Sequence, residues 1–280
     1  MTLHAALAQG QRLLEEAHIA APRLTAEVLL AHAVGRDRTW LYAHSGEELR
    51  ELWWIHYGRY LHERLNGKPT QYITGHREFY GRDFQLTQDV LIPRPETEHV
   101  VEAALARASG ARTIADIGTG SGAIAVTMAL ETKAKVVATD ISERALAVAA
   151  RNARRLDAAR GQGQGVRFVV CDLGSALEAN VFDLVLSNPP YVPESTSENI
   201  QKEVRDWEPP VALFGGRDGL DVVRRLIPDA WRLLRSGGFL IMEIGWSTAE
   251  EIHAMLSGWQ DLETKADLAG IPRVTIARKP

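Results

Sequence analysis

Hydrophobic and polar positions divide the chain into a helical N-terminal part and a longer part in which short apolar runs alternate with helical patterns. Within residues 1–66, apolar side chains recur at near-helical spacing at Leu3, Leu7, Leu14, Leu24, Val28 and Ala31. This spacing predicts two helices, and a third is predicted over residues 47–65. We therefore expect a small helical domain over 1–66.

The pattern changes after residue 66, where Asn66-Gly67-Lys68-Pro69 break the helical periodicity. Residues 71–75 and 78–84 then alternate between apolar and polar, which predicts a β-hairpin with its turn at 81–83. This hairpin would form a linker over 67–93. Pro95 suits the first turn of a helix that we expect to extend to about residue 108.

The remaining part, 94–280, alternates strands with helices, which predicts a doubly wound parallel α/β sheet. Strands are predicted at 113–117, 135–139, 166–170, 182–187 and 238–243, with helices beginning near Ser121, Ser142 and Gly219. After a helix at 248–256, strands at 260–266 and 273–277 are joined by a loop too short for a crossover helix. They should be antiparallel, a feature of class I methyltransferases. The glycine and glutamine run at 161–165 predicts a surface loop.

Composition narrows the class of protein. The 280 residues are 45% hydrophobic and 24% charged, as in a soluble globular protein, with a net charge of −4 and a pI of about 6.2. This balance argues against a protein built to bind duplex DNA. The single cysteine, Cys171, excludes an internal disulfide and a cysteine zinc cluster. The sequence shows neither a signal peptide nor a membrane span, so we expect a cytoplasmic protein.

A glycine-rich loop follows the first strand of the sheet, at Asp116-Ile117-Gly118-Thr119-Gly120-Ser121-Gly122. Glycine allows the backbone to approach a ligand closely. The third glycine comes one position too early for a dinucleotide fingerprint. The loop also lacks the Gly-Lys-Ser/Thr ending of a phosphate-cradling loop, which excludes that kind of nucleotide site.

Acidic residues end the next two strands. Asp140 lies 22 positions after Gly118, where a carboxylate can accept both hydroxyls of a ribose, and Asp172 can reach an adenine amino group. One such Asp more often caps a helix, but three acidic residues after three successive strands predict a nucleoside site. Because there is no phosphate cradle, S-adenosylmethionine fits better than NAD or ATP, and an acidic loop suits its cationic groups.

The run Asn188-Pro189-Pro190-Tyr191 follows the strand predicted at 182–187. Two prolines fix φ and lack N–H donors, so the strand ends and the carbonyls of Asn188 and Pro189 have no ladder partner. An Asn side chain, a free carbonyl and an aromatic ring thus meet at the carboxyl end of a strand. They can hold a planar amide or an amino group on a ring, and the residues alone leave that choice open.

The motifs, taken in order, resemble the HemK/PrmC family, the N5-glutamine methyltransferases of peptide-chain release factors. The resemblance covers residues 70–280, and the helical N-terminal region agrees in size. It rests on the strings at 71–75, 93–98 (Pro-Arg-Pro-Glu-Thr-Glu), 116–122, 140–142, 187–191, 203–204, 208–213 and 216–220. The resemblance implies a class I, Rossmann-like S-adenosylmethionine-dependent methyltransferase with a seven-stranded sheet that ends in an antiparallel hairpin.

The resemblance also implies a role for each site residue. The methionine part of the cofactor would be held by Asp116, Gly118, Thr119, Gly120, Ser121 and Gly122. Asp140, with Ile141, would bind the ribose, and Asp172 and Leu173 would flank the adenine, Leu173 standing where relatives often carry an aromatic residue. Thr97 would close over the cofactor, which Asn188 would also contact. The substrate glutamine would be held by Asn188, Pro189, Pro190 and Tyr191, with the Asn188 side-chain oxygen and the Pro189 carbonyl accepting its two amide N–H groups.

The implied partner is a class 1 release factor, methylated on the glutamine of its Gly-Gly-Gln motif and docked by residues 1–66. We expect S-adenosylhomocysteine as product, no metal, no membrane association, no stable nucleic-acid binding and a monomer. Three alternatives stay open. A nucleic-acid adenine methyltransferase would use the same four residues on a flipped base, but the acidic pI disfavours it. A ribosomal-protein glutamine methyltransferase would differ mainly in docking. The intact Asn-Pro-Pro-Tyr string disfavours a non-catalytic cofactor-binding module.

Overall fold

The computed structural model describes residues 1–158 and 165–280, so most of the glycine and glutamine loop predicted at 161–165 lies outside the described residues. The helices are α1 (Leu3–Glu16), α2 (Pro22–Val34), α3 (Arg38–Ala43), α4 (Glu51–Leu65), α5 (Thr70–Thr74), α6 (Glu98–Leu105), α7 (Ala123–Glu131), α8 (Glu143–Ala158), α9 (Lys202–Trp207), α10 (Pro210–Leu213), α11 (Asp221–Leu233) and α12 (Ala249–Met255). The strands are β1 (His76–Phe79), β2 (Arg82–Gln85), β3 (Thr113–Ile117), β4 (Lys135–Asp140), β5 (Arg167–Val170), β6 (Phe182–Ser187), β7 (Leu234–Glu243), β8 (Gln260–Ala266) and β9 (Pro272–Arg278). No described helix has the length and apolar character needed to cross a membrane.

Seven strands form one sheet in the order β5-β4-β3-β6-β7-β9-β8, in which β9 alone runs antiparallel to the other strands. This arrangement confirms the predicted sheet and its antiparallel final hairpin. The strand order reverses between β3 and β6, and open α/β sheets bind ligands outside the carboxyl ends of the strands at such a switch point. The carboxyl ends of β3, β4, β6 and β7 are therefore where a site is expected.

Two apolar layers hold the sheet between helices. Every residue of β6 is buried, which is typical of a central parallel strand covered on both faces. Leu184 and Leu186 pack on the layer that contains α6 and α7, whereas Val185 packs on the layer that contains α11 and α12. This alternation follows the period of two of a strand, so the apolar run that predicted the strand also anchors the backbone immediately before Asn188.

Contacts divide the chain into two compact units, one formed by Met1–His76 with Gln201–Trp207 and the other by Arg77–Ile200 with Glu208–Pro280. In the first unit, α1, α2 and α4 pack around a core that includes Leu14, Leu29 and Tyr57. Glu203 of α9 forms an ion pair with Arg64 of α4, whose side chain is buried. The division predicted from sequence, with boundaries at 66 and 93, stays a prediction.

The strand predicted at 71–75 is wrong, because these residues form most of the short helix α5. Pro69 precedes the helix, and its carbonyl accepts from the backbone N–H of Tyr72 and of Ile73. Gly75 ends the helix at φ +76°, a left-handed conformation that glycine adopts without strain. A run of five alternating residues is too short to separate a strand from one turn of helix, and the flanking Pro and Gly were the better signal.

The position of the hairpin turn and the start of the helix predicted over 47–65 also differ from the prediction. The hairpin formed by β1 and β2 turns at Tyr80 and Gly81, not at 81–83, and both residues have positive φ, as in the turns that best match strand twist. The helix predicted over 47–65 begins only at Glu51. Residues 44–46 form a turn, and Glu48 pairs with Thr2 in an isolated antiparallel bridge. Leu3 donates to the carbonyl of Glu47 and Leu49 donates to that of Met1.

Candidate active site

A cavity of about 230 Å³ lies at the carboxyl ends of β3, β4 and β6. From the glycine loop and the strand ends that follow it, the wall contains Gly118, Thr119, Gly120, Ser121, Asp140, Ile141, Asp172 and Leu173. The wall also contains three further predicted residues, Thr97, Asn188 and Pro190. The other predicted residues, Asp116, Gly122, Pro189 and Tyr191, lie outside the wall.

Glycine is needed at the three loop positions for different structural reasons. Gly118 and Gly120 have φ of +73° and +55°, and a Cβ at either position would meet no other atom within 4 Å. Conformation therefore requires glycine there, and space is left open beside the loop. Gly122 also has a positive φ, but its Cβ would lie 3.1 Å from that of Ala149 on α8. Gly122 thus allows α7 and α8 to pack closely.

Asp116 lies beneath the loop and is fully buried. Its Oδ2 accepts from the Thr119 hydroxyl at 2.6 Å and from the Ala125 backbone N–H at 3.1 Å, whereas its Oδ1 has no hydrogen-bond partner among the residues that the structure describes. Burial raises the pKa of Asp116 to about 7, although these two hydrogen bonds oppose the rise. The residue therefore holds the loop in shape and leaves one buried acceptor unused.

Asp140 ties the end of β4 to the glycine loop. Its two carboxylate oxygens accept from the backbone N–H groups of Gly120 and Ser142, both at 2.9 Å. Burial raises its pKa, and the backbone N–H groups act in the opposite direction. Each oxygen keeps a second lone pair, so the carboxylate can order the loop and still accept from a ligand in the cavity.

Asp172 forms an ion pair with Arg225 of α11, a cavity residue that the sequence did not single out. Arg225 is the only Lys, Arg or His in the described wall of this cavity. Because its charge is already engaged by Asp172, the wall offers no unpaired cation to a phosphate. The cavity therefore favours a neutral or cationic ligand over a nucleotide.

Next to the cavity, a chain of hydrogen bonds joins Asn188 to Thr97, Glu243 and Tyr191. The Asn188 Nδ2 donates to the Thr97 hydroxyl at 3.0 Å, and that hydroxyl donates to Glu243 Oε2 at 2.6 Å. The Tyr191 hydroxyl donates to Glu243 Oε1 at 3.0 Å. Thr97 is only 3% exposed and so contributes to both the cavity wall and this chain, where the resemblance implied only closure over a cofactor.

Glycines also explain why the backbone of the Asn188–Tyr191 string can lie where it does. A Cβ at Gly215 would lie 2.5 Å from the Pro190 carbonyl oxygen, and one at Gly219 would lie 2.4 Å from that of Tyr191. Side chains at these positions would displace the string. Within the described part of the chain, neither the Asn188 nor the Pro189 carbonyl accepts a hydrogen bond.

Sequence reasoning did not assign a role to Glu243. A signal was present, because an acidic residue ends β7 as Asp140 ends β4, and carboxyl ends of parallel strands share one edge of the sheet. The rule that selected Asp140 and Asp172 would have selected Glu243 if it had been applied to the fifth strand. Arg225 had no comparable signal, since it lies on an ordinary amphipathic helix.

The residues present fit S-adenosylmethionine. The open space beside Gly118 and Gly120 admits a ligand, and the Asp140 carboxylate in the wall suits ribose hydroxyl groups. Ile141 and Leu173 supply apolar surface for a purine. Nothing in the wall requires a phosphate.

Comparison with solved structures supports the class of fold. The chain aligns with the catalytic domain of hMettl16 in complex with MAT2A 3'UTR hairpin 6 at a TM-score of 0.57, with 16% identity, over 78% of this chain and 81% of that chain. At this identity the similarity concerns the fold alone. The fold and the cavity together define a Rossmann-like methyltransferase.

Sequence comparisons identify the family. Residues 5–75 match the family model described as the PrmC N-terminal domain, and residues 97–205 match the methyltransferase small domain. The chain is 45% identical over 284 residues to the release factor glutamine methyltransferase of Koribacter versatilis (strain Ellin345), an alignment that covers 100% of this chain and 99% of that relative. It is 39% identical to the release factor glutamine methyltransferase of Nitratidesulfovibrio vulgaris, over 99% and 95% of the two chains. The chain belongs to the release factor glutamine methyltransferase family.

Proposed function

We propose that this protein transfers a methyl group from S-adenosylmethionine to the N5 amide nitrogen of the glutamine in the Gly-Gly-Gln motif of class 1 release factors. The observation that carries the proposal is the engagement of the Asn188 side chain. Its Nδ2 is held by Thr97, which leaves its Oδ1 to accept from an acceptor amide beside the cavity. The names of the family's members supply the identity of the acceptor protein.

An amide nitrogen is a weak nucleophile, because its lone pair is conjugated with the carbonyl. In the proposed complex, Asn188 Oδ1 and the Pro189 carbonyl accept the two N–H groups of the glutamine amide, and the Tyr191 ring packs against the amide plane. Together they fix the direction of the nitrogen lone pair. Orientation of this kind can contribute roughly 7 to 11 kcal/mol to lowering a barrier.

Bound S-adenosylmethionine would supply the methyl group of its sulfonium centre. When the bond between sulfur and methyl breaks, the sulfur would leave as the neutral thioether of S-adenosylhomocysteine. The glutamine nitrogen forms the new N–C bond and then releases one proton. That proton is acidic once the nitrogen carries a positive charge, so no strong base among the cavity residues is required, and no metal enters this scheme.

We propose that the N-terminal unit docks the release factor, as a monomer, in the cytoplasm. On α4, Leu52 and Ile55 are 62% and 58% exposed and lie three positions apart, on the same side of the helix. Replacing both by Ser should raise KM for a release factor and leave KM for a short Gly-Gly-Gln peptide unchanged. A matched pair on α1, Arg12→Ser with Glu16→Ser, should change neither value.

The decisive experiment is a mass measurement on purified release factor after incubation with the protein and S-adenosylmethionine. One added methyl group on the Gly-Gly-Gln glutamine, located by fragmentation, is the expected result. Ribosomal protein and DNA serve as parallel acceptors. Methylation of either one with an unmodified release factor would overturn the proposed acceptor, and no transfer to any acceptor would favour a non-catalytic module.

A further inference from the structure

Glu243 is the last residue of β7 and is only 2% exposed. Its two carboxylate oxygens accept hydrogen bonds from the hydroxyl groups of Thr97 and Tyr191, and the Thr97 hydroxyl in turn accepts one from the Asn188 side-chain NH₂ group. Both polar side chains of the Asn188–Tyr191 string therefore depend on a single buried carboxylate. Within the described residues, no Lys or Arg forms an ion pair with it.

The direction of each hydrogen bond in this chain follows from the groups themselves. An ionised carboxylate can only accept, and a threonine hydroxyl has a single hydrogen. Thr97 must therefore donate its hydrogen to Glu243, which leaves only lone pairs towards Asn188. The amide of Asn188 can satisfy those lone pairs only with its NH₂ group, so its oxygen must point elsewhere.

We propose that Glu243 and Thr97 are positioning residues that set which face of the Asn188 amide meets the acceptor. The inference rests on the proposed function for the identity of that acceptor. If Glu243 were protonated on Oε2, it could donate to Thr97, which could then donate to Asn188 Oδ1 and reverse the amide. In this reversed arrangement, the NH₂ group of Asn188 would face the N–H groups of the glutamine amide, and donor would meet donor. The ionised carboxylate excludes it.

The surroundings of Glu243 act on its pKa in both directions, with a net rise. Burial raises its pKa, the hydrogen bonds from Thr97 and Tyr191 lower it, and the nearby charges of Glu96 and Arg273 act in opposite directions. The ionised form is thus the one that the hydrogen-bond donors stabilise. We expect turnover to fall as the pH drops through the pKa of Glu243, because the protonated form permits the reversed chain.

Isosteric variants test the chain without opening a cavity. Thr97→Val should lower kcat about 100-fold with little change in the dissociation constant of S-adenosylmethionine, whereas Thr97→Ser should stay within about threefold of the wild type. Thr127 on α7 provides a matched control, because its buried hydroxyl has no hydrogen-bond partner in the described part of the chain. Thr127→Val should leave kcat unchanged. A Thr97→Val protein with wild-type kcat would overturn the proposal.

A double-mutant cycle tests whether Glu243 acts through Thr97. Glu243→Gln leaves one acceptor oxygen for two hydroxyl donors, so kcat should fall, by about 10-fold or more, and the acid limb of the pH profile should disappear. The double variant Thr97→Val/Glu243→Gln should be no slower than the slower single variant. Independent losses that multiply would contradict a shared chain.

A measurement without any methyl acceptor separates this proposal from the proposed function. In the wild type, the side-chain NH₂ protons of Asn188 should show nuclear Overhauser contacts to the Thr97 methyl group, and Glu243→Gln should weaken them. Absence of these contacts in the wild type would refute the positioning role even if the release factor is methylated. Their presence with no methylation of a release factor would refute the function alone.

Discussion

Carboxylates are buried at both edges of the seven-stranded sheet, in opposite surroundings. At the amino-terminal edge, Asp183 Oδ2 accepts from the backbone N–H groups of Arg112 and Thr113 at 2.7 and 2.9 Å, and Arg235 forms an ion pair with Oδ1. Burial alone would raise the pKa of Asp183, but these groups outweigh it, so the pKa is lowered. At the carboxyl-terminal edge, Glu243 accepts only neutral hydroxyl groups, and its pKa is raised.

The difference separates stability from function. Asp183 is satisfied as an anion and joins the start of β3 to β6 and β7, so it stabilises the sheet. Glu243, like Asp116, is buried and has no ion pair among the described residues, so its ionised form makes the folded protein less stable. Its oxygens instead fix the direction of neighbouring side chains. We therefore expect substitutions at the amino-terminal edge to change unfolding, and those at the carboxyl-terminal edge to change turnover.

The largest effect is expected at the carboxyl-terminal edge. Asn188→Ala removes the oxygen proposed to accept from the glutamine amide, and kcat should fall roughly 1,000-fold. The dissociation constant of S-adenosylmethionine and the midpoint of urea unfolding should stay close to those of the wild type. Steady-state kinetics and calorimetric titration measure the two quantities, and near-normal turnover would remove Asn188 from the mechanism.

Asp183→Ala should give the converse result at the amino-terminal edge. The change leaves two backbone N–H groups and the Arg235 guanidinium without their acceptor, so the free energy of unfolding should fall by about 4 kcal/mol. The value of kcat, measured well below the melting temperature, should remain unchanged. Urea denaturation followed by circular dichroism tests the first part, and a matching loss of kcat would break the division between the edges.

Sequence reasoning reached most of the site because its signals are local. The buried run of β6 followed by two prolines located Asn188, and the glycine spacing located the loop beneath which Asp116 lies. Glu243 carries the same strand-end signal as Asp140 and was overlooked, whereas Arg225 has no local signal because its partner Asp172 is distant in the chain. The same limit explains α5, since a single helical turn is decided by its caps and its tertiary contacts.

The two edges should also respond to pH with opposite sign. Folding raises the pKa of Asp116 to about 7. Protonated Asp116 therefore contributes stability that is fully present below the pKa of this carboxyl in the unfolded chain, and this stability is lost as the pH rises towards 7. Between pH 5 and pH 7 this loss should be about 2 kcal/mol in the protein without ligand. The lowered pKa of Asp183 gives stability that is lost only as the pH falls below about 4.

Urea midpoints measured from pH 3 to pH 8 test this pair of effects. Asp116→Asn should flatten the decline between pH 5 and pH 7, and Asp183→Asn should flatten the acid limb. A decline that persists unchanged in Asp116→Asn would assign it to another group, such as Asp140, whose pKa is also raised by burial.

A smaller effect is expected in the first unit, where an acidic residue is paired with an arginine as Asp183 is at the amino-terminal edge of the sheet. Beyond Tyr191 the chain leaves the second unit at Ile200, and α9 is held in the first unit by the ion pair between Glu203 and buried Arg64. Arg64→Met removes the charge and keeps the apolar stem, and because Glu203 is partly exposed, water can replace its partner. Local stability should fall by about 1 kcal/mol, and trypsin should cleave after the exposed Lys202 several-fold faster. Arg59→Met, at a largely exposed arginine of α4, is the control and should leave cleavage unchanged. Equal rates for Arg64→Met and the wild type would mean that packing, and not the ion pair, holds α9.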